Sequence, residues 1–144
     1  MNTADIAAVR ETLHPKLQAD LDTRGFDEFS EIQIRAVPEL IRGTNAVLIA
    51  PTGTGKTESA LLPIFHQLLT KPHSPWFSAL YITQLRSLNL DMMNRLEWCG
   101  HELGLKISVR HGDTTQGDRR KQAVHPPDLL ITTPESLQAM MMGK

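Results

Sequence analysis

The sequence predicts an α/β domain in which helices flank a parallel sheet. Apolar runs of strand length alternate with segments of helical periodicity, which implies crossover connections between parallel strands. The predicted strands are 46–50, 77–83, 106–110 and 128–132. A length of 144 residues, with 40% hydrophobic and 22% charged residues, suits one soluble domain with a single core.

The first part of the chain, residues 1–43, is predicted to be a helical segment. Its apolar residues fall at helical spacing, and Pro15 divides them into two short helices. A third helix is predicted to begin at the capping-box pair Ser30 and Gln33 and to end near Gly43. We therefore assign 1–43 to a helical segment and 44–144 to the α/β domain.

The turn that follows the predicted strand 46–50 has the pattern of a phosphate-binding loop. It reads Pro51, Thr52, Gly53, Thr54, Gly55, Lys56 and Thr57, and the next helix begins at Lys56. Glycines let backbone N–H groups approach phosphate oxygens, a lysine reaches the β and γ phosphates, and a threonine hydroxyl holds Mg²⁺. Lys56 and Thr57 are thus the candidate catalytic residues, and Thr57 the candidate metal ligand. The alternative is a chance Gly-Thr-Gly turn, since Ala50 stands where the strict pattern has glycine.

The rest of the chain continues the alternation of helices and strands. An amphipathic helix is predicted from Leu85 to Leu103 with a stop at Gly104, and Pro134 is predicted to open a last helix. The basic run 119–121 is interpreted as a solvated face of a short helix, with nucleic-acid contact as the alternative.

The loop with alanine first, Ala50 to Thr57, resembles the first motif of superfamily 2 RNA and DNA helicases, whose ATP-binding domains have a RecA-like fold. Gly25 and Phe26, followed by Glu31-Ile32-Gln33, resemble the Q motif of that family. The resemblance implies that Gln33 reads the adenine edge of ATP and that Phe26 packs on the base. Two alternatives stay open: Gln33 as the capping partner of Ser30, and Phe26 as a core residue.

Three later segments resemble the family's nucleic-acid-binding motifs. Residues 81–89 resemble motif Ia, 111–114 the family's glycine-containing loop, and 132–137 motif Ib. The resemblance implies strand contacts by Arg86, Ser87, His111, Gly112, Asp113, Thr133, Pro134 and Glu135. Thr133 and Glu135 are also suited to capping the last helix. The sequence departs from the pattern at Gln84, where motif Ia usually has proline, and at Phe29 and Ser30, which replace Pro-Thr.

Together these runs are most similar to the Lhr (large helicase-related) type, whose members are ATP-dependent DNA helicases that track single strands 3′ to 5′ and are linked to DNA repair. The expected ligands are therefore ATP, Mg²⁺ and a nucleic-acid strand, with DNA favoured. Another P-loop NTPase or kinase is the alternative, and a nucleic-acid-binding module without enzymatic activity is a third. A net charge of −1 means that strand binding must rest on local groups.

Hydrolysis in this family needs an acidic pair after a later strand and a second RecA-like domain with an arginine finger. Asp128 does not qualify for the acidic pair, because it lies at the start of its predicted strand. We therefore expect the sheet to be incomplete at its C-terminal side and a longer parent chain to supply these parts. A single cysteine, Cys99, and the lack of a signal-peptide pattern predict a cytoplasmic protein.

Overall fold

The computed structural model describes residues 3–71, 76–84 and 90–143. The chain divides into two compact units, the N-terminal unit Met1–Lys71 and the C-terminal unit Pro72–Lys144. The predicted domain boundary after residue 43 is a different division, and it stays a prediction. No described helix is long and apolar enough to cross a membrane.

The described part of the N-terminal unit is helical. Its helices are α1 (Thr3–Thr12), α2 (Pro15–Thr23), α3 (Glu31–Ile41) and α4 (Lys56–Thr70). The predicted break at Pro15 is confirmed, since α2 begins there and the His14 side chain accepts a hydrogen bond from the backbone of Lys16. Helix α3 packs on α1 and α4, and the core between the helices includes Leu17, Phe29, Val37, Leu61 and Phe65.

The prediction of a buried strand at 46–50 is wrong for this structure. Residues 44–50 form no strand, and the side chains of Val47 and Ile49 are 86% and 88% exposed. A strand requires a neighbouring backbone with which to exchange hydrogen bonds. An apolar run has the composition for a buried strand, but composition alone does not supply that neighbour.

The C-terminal unit contains the parallel sheet. Its elements are β1 (Ala79–Ile82), α5 (Leu90–Leu103), β2 (Ile107–Arg110), α6 (Gln116–Val124), β3 (Leu129–Thr132) and α7 (Pro134–Met141). The three-stranded sheet has the order β1-β3-β2, with both pairs parallel. The central strand β3 is buried along its whole length. The predicted α/β class and parallel pairing are confirmed, and so is the start of the last helix at Pro134.

Parallel pairing brings the carboxyl ends of the strands to one edge of the sheet. Thr132 pairs with Ile82 on one side and with Arg110 on the other. The buried Thr132 hydroxyl also donates a hydrogen bond of 2.8 Å to the backbone oxygen of Arg110. Loops that leave this edge are the usual place for ligand sites in open α/β sheets.

Candidate functional site

Two glycines shape the phosphate loop of the N-terminal unit. Gly53 and Gly55 have left-handed φ angles of 78° and 84°, and Gly55 is the N-cap of α4. The Thr54 hydroxyl donates a 2.8 Å hydrogen bond to the Pro51 backbone oxygen across the turn. The loop therefore leads directly into a helix N-terminus, where free N–H groups and the helix dipole favour an anion.

Lys56, the first residue of α4, is folded back onto its own loop. Its ammonium group donates hydrogen bonds of 2.6 Å to the backbone oxygens of both Ala50 and Pro51. Thr57 lies half-buried at the next position. The donor set fits a nucleotide with its magnesium ion, because a lysine, a threonine hydroxyl and a helix N-terminus meet here. Lys56 must exchange its carbonyl partners for phosphate oxygens when a nucleotide binds.

Gln33 joins α3 to the phosphate loop. The Gln33 Oε1 atom accepts a 2.8 Å hydrogen bond from the Ser30 backbone, and Nε2 donates a 3.3 Å hydrogen bond to the Gly55 backbone oxygen. The Gln33 half of the predicted capping box is thus formed, whereas the buried Ser30 hydroxyl has no partner within the described residues. With both ends of its amide engaged, Gln33 must rearrange in order to read adenine. The adenine contact stays a prediction.

Phe26 lies half-buried in the segment between α2 and α3. Its ring meets Phe29 edge to face, with ring centroids 5.4 Å apart and an interplanar angle of 82°. Phe29 is fully buried, whereas Phe26 keeps part of its ring exposed. The arrangement suits a ring that rests on the core and offers its remaining surface to a base. This contact also stays a prediction.

In the C-terminal unit, the loop after β2 is a tight turn held by its own polar groups. The His111 backbone N–H donates a 2.8 Å hydrogen bond to the Thr114 hydroxyl, and the Asp113 N–H donates one of 3.2 Å to Nδ1 of His111. Gly112 and Asp113 are exposed, and His111 is half-buried. The loop leaves the carboxyl edge of the sheet, so its exposed backbone is accessible to a ligand.

The segment after β3 forms the start of α7. Thr133 is its N-cap, and the Thr133 hydroxyl accepts a 3.3 Å hydrogen bond from the backbone of Ser136. The capping role considered for Thr133 is therefore confirmed, while Pro134 and Glu135 are exposed in the first turn. Capping occupies the hydroxyl and leaves the neighbouring first-turn residues free to meet a ligand. The predicted strand contacts of Arg86 and Ser87 lie outside the described residues.

Sequence reasoning overlooked Arg110 and misread Arg119. Arg110 belongs to a predicted strand and to the run 110–114 that resembles the Lhr type, but it is not among the predicted nucleic-acid contacts, although it ends its strand at the ligand-facing edge. The position at a strand's carboxyl end was therefore the signal that could have identified it. Arg119 was interpreted as part of a solvated face, but its guanidinium donates 3.0 Å hydrogen bonds to the backbone oxygens of Thr114 and Gly112. That interpretation is wrong for Arg119, which holds the loop 111–114, whereas the exposure predicted for Arg120 and Lys121 is confirmed.

A left-handed glycine turn that leads into a helix with lysine at its first position is the arrangement of a phosphate-loop nucleotide-binding protein. Residues 30–144 match the DEAD/DEAH box helicase family, and the chain belongs to that family. The predicted resemblance to Lhr-type helicases is confirmed by the similarities that follow.

An ATP-dependent helicase Lhr-Core from Methanothermobacter thermautotrophicus is 32% identical over 94% of this chain. The ATP-dependent RNA helicase DDX47 of Drosophila melanogaster is 33% identical over 75% of it. A structure of Mycobacterium smegmatis helicase Lhr bound to ssDNA and AMP-PNP has a TM-score of 0.75 and 29% identity over 90% of this chain. The chain spans 17%, 21% and 18% of those three proteins, respectively.

Proposed function

We propose that this chain is the ATP-binding part of an ATP-dependent DNA helicase of the Lhr type, which couples hydrolysis to 3′ to 5′ movement along a single strand. The observation that carries the proposal is the glycine loop Pro51–Gly55, which closes onto the helix that begins at Lys56, within a family match over 30–144. The similarity to an Lhr structure bound to ssDNA favours DNA over RNA, and the Lhr resemblance supports the direction and a link to DNA repair.

On the nucleotide side, the backbone N–H groups of 52–57 and the Lys56 ammonium hold the phosphates. The Thr57 hydroxyl contributes a ligand to Mg²⁺, while Phe26 and Gln33 face the adenine. Hydrolysis of bound ATP would supply the free energy for movement along the strand. Lys56 contributes by exchanging the carbonyl oxygens of Ala50 and Pro51 for phosphate oxygens, which reorganises the loop as the nucleotide arrives.

On the strand side, the proposed contacts come from the carboxyl edge of the sheet. The exposed residues Gly112 and Glu135 each offer a backbone N–H to a phosphate oxygen, the latter in the first turn of α7. The carboxylates of Asp113 and Glu135 repel phosphate, so we place them against sugar hydroxyls or base edges. His111, Thr133 and Pro134 shape the surface, and Arg86 and Ser87 supply further phosphate contacts.

The remainder of the parent protein is part of the proposal. Because the chain spans only 17% of the Lhr-Core relative, the acidic pair and the second RecA-like domain are assigned to other parts of the parent. Hydrolysis and unwinding are therefore activities of that larger protein. Residues 1–144 contribute the phosphate loop and one part of the strand-binding surface.

The test uses the full-length protein with ATP or GTP and with single strands of DNA or RNA. We expect ATP hydrolysis to be stimulated by single-stranded DNA, and duplexes with a 3′ tail to be unwound in preference to those with a 5′ tail. Stimulation by RNA alone would correct the substrate, and preference for the 5′ tail would correct the direction. Phosphoryl transfer to a small acceptor without any effect of a strand would overturn the helicase proposal.

A further inference from the structure

An open cleft of about 340 Å³ lies at the carboxyl edge of the sheet in the C-terminal unit. The end of β2, the loop after it, one side of α6 and the start of α7 form its walls. Two arginines, Arg110 and Arg119, line it together with Ser136 and Glu135. The cleft therefore concentrates cationic groups in a protein whose net charge is only −1.

The two arginines have different partners. Arg119 is engaged, since its guanidinium donates to the backbone oxygens of Gly112 and Thr114 at 3.0 Å each. Arg110 has no side-chain hydrogen bond or ion pair within the part of the chain that the structure describes. Arg119 therefore fixes the wall of the cleft, whereas the Arg110 guanidinium keeps its donors available for a ligand.

The surroundings of Arg110 favour an anion. Burial lowers the pKa of Arg110, and the nearby positive charge of Arg119 lowers it further. An arginine still stays protonated at physiological pH. The Arg110 guanidinium is therefore a cation that is partly desolvated and that lies near the positive charge of Arg119. Glu135 is the carboxylate among the cleft's residues, but it forms no ion pair with either arginine in the described structure. An anion that entered the cleft would relieve the repulsion between the two guanidinium groups.

A phosphate group is the anion that suits this cleft. A guanidinium presents a planar fork of N–H donors that matches two oxygens of a phosphate. The Ser136 hydroxyl lines the same cleft, and although it accepts a hydrogen bond from Thr133 it can still donate its own hydrogen to a ligand. The backbone N–H of Glu135 is a second donor, in the first turn of α7. In the proposed function, a nucleic-acid strand crosses this edge of the sheet, so a phosphodiester of that strand is the natural occupant.

We propose that Arg110 binds a backbone phosphate of the strand in this cleft, and that Arg119 is a positioning residue that holds the loop 111–114 around it. The proposal rests on the proposed strand-binding function, and it adds two residues that are not among the nucleic-acid contacts predicted from the sequence. A phosphate contact of this kind carries no base information. It therefore contributes to affinity and salt dependence equally on all sequences.

The test measures single-stranded DNA affinity of the full-length protein by fluorescence anisotropy at several salt concentrations. We expect Arg110→Ala to weaken binding roughly tenfold on every sequence, as loss of a charged hydrogen bond predicts. The magnitude of the log–log salt slope should also fall by about 0.7. Arg110→Lys keeps the charge and should restore the slope. Arg120→Ala, an exposed arginine on the same helix as Arg119, is the matched control and should leave affinity within twofold of wild type.

The positioning role of Arg119 is tested by comparing the strand affinity of Arg119→Lys with that of Arg119→Ala. Arg119→Lys keeps the charge but cannot bond both loop carbonyls from two guanidinium nitrogens, so it should weaken binding as much as Arg119→Ala does, without the slope change expected of Arg110→Ala. A slope unchanged in Arg110→Ala, or not restored by Arg110→Lys, would overturn the phosphate assignment. Full rescue by Arg119→Lys would overturn the positioning role.

Two further measurements distinguish the possible failures. The first is a thermal shift of Arg110→Ala with ATP and Mg²⁺. If the variant is stabilised like wild type, it is folded. If that stabilisation is lost, Arg110 serves the fold, and the phosphate role is overturned. Wild-type protein that binds no strand would contradict the proposed function itself. Inorganic phosphate, added at constant ionic strength, should compete with the strand far more weakly than a second single strand does. Equal competition would indicate a site for free phosphate.

Discussion

The phosphate loop and the cleft lined by Arg110 and Arg119 are both suited to bind phosphate, but they differ in whether a cationic donor is available. At the loop, the side chains of Lys56 and Gln33 donate hydrogen bonds to the protein's own backbone oxygens. In the cleft, Arg119 is engaged in the same way, yet Arg110 is free within the described residues. The phosphate loop must therefore rearrange when a nucleotide binds, whereas the cleft proposed to bind the strand already has a donor available.

This difference has an energetic consequence. A site whose donors are satisfied internally binds with an apparent affinity reduced by the fraction of time it is open. A preformed cleft with an unpaired cation does not have this cost, although the cation is less favourable without its ligand. Nucleotide affinity should therefore respond to changes in loop contacts, whereas strand affinity should respond mainly to charge and salt.

The largest expected effect is that of Lys56→Ala, which should abolish nucleotide binding. The ammonium is the charge in the loop that reaches phosphates, and its present partners are only two carbonyl oxygens. We expect wild type to be stabilised by ATP and Mg²⁺ in a thermal shift through binding to the folded state, and the variant not to be. Lys71→Ala, at the other end of α4, is the control. If Lys56→Ala is stabilised like wild type, the loop is not the site.

The next effect separates the two loop glycines. Both have left-handed φ angles, so alanine at either position is strained by about 1–2 kcal/mol. A Cβ at Gly53 would meet nothing within 4 Å, but one at Gly55 would overlap the Gln33 amide nitrogen and lie 3.1 Å from its carbonyl carbon. Gly55→Ala should therefore lower the free energy of unfolding more than Gly53→Ala does, and Gln33→Ala should recover part of the difference. Equal losses in chemical denaturation would show that the Gln33 contact is unimportant.

A smaller effect is expected for Gln33→Ala, which should reduce the preference for ATP over GTP. Losing a paired amide costs about 0.5–1.5 kcal/mol, which corresponds to roughly a threefold to tenfold change in affinity. Ser30→Ala removes a neighbouring hydroxyl without touching the amide, so the preference should stay unchanged. Competition binding with both nucleotides decides the matter. An equal loss for ATP and GTP would indicate that Gln33 positions the loop through Gly55 and does not read the base.

Local signals in the sequence were sufficient for most of the fold. Pro15, Ser30 and Pro134 marked helix starts because their chemistry is local, and the alternation of elements indicated parallel strands. The run 46–50 was misassigned because pairing is a property of two segments, and one segment's composition cannot show it. Tertiary contacts account for the remaining differences: the bond from Gln33 to Gly55 spans 22 residues, and Arg119 reaches back to Gly112. Neither contact leaves a periodic trace in the sequence.

The smallest expected effect is on pH dependence, and it should appear in the N-terminal unit. Burial lowers the pKa of His66 in α4, with a further contribution from the positive charge of His14. The unfolded chain therefore binds a proton at this histidine more readily than the folded chain does. The stabilising contribution of neutral His66 is fully present above about pH 6.5. It is lost as the pH falls through the lower pKa of the folded state. His66→Gln cannot titrate and should flatten the decline in thermal stability between pH 7.5 and 5, whereas His125→Gln, at an exposed position in the C-terminal unit, should not. Arginine does not titrate in this range, so the salt slope of strand binding assigned to Arg110 should stay the same at both pH values. A decline as steep in His66→Gln as in wild type would assign the pH sensitivity to other groups.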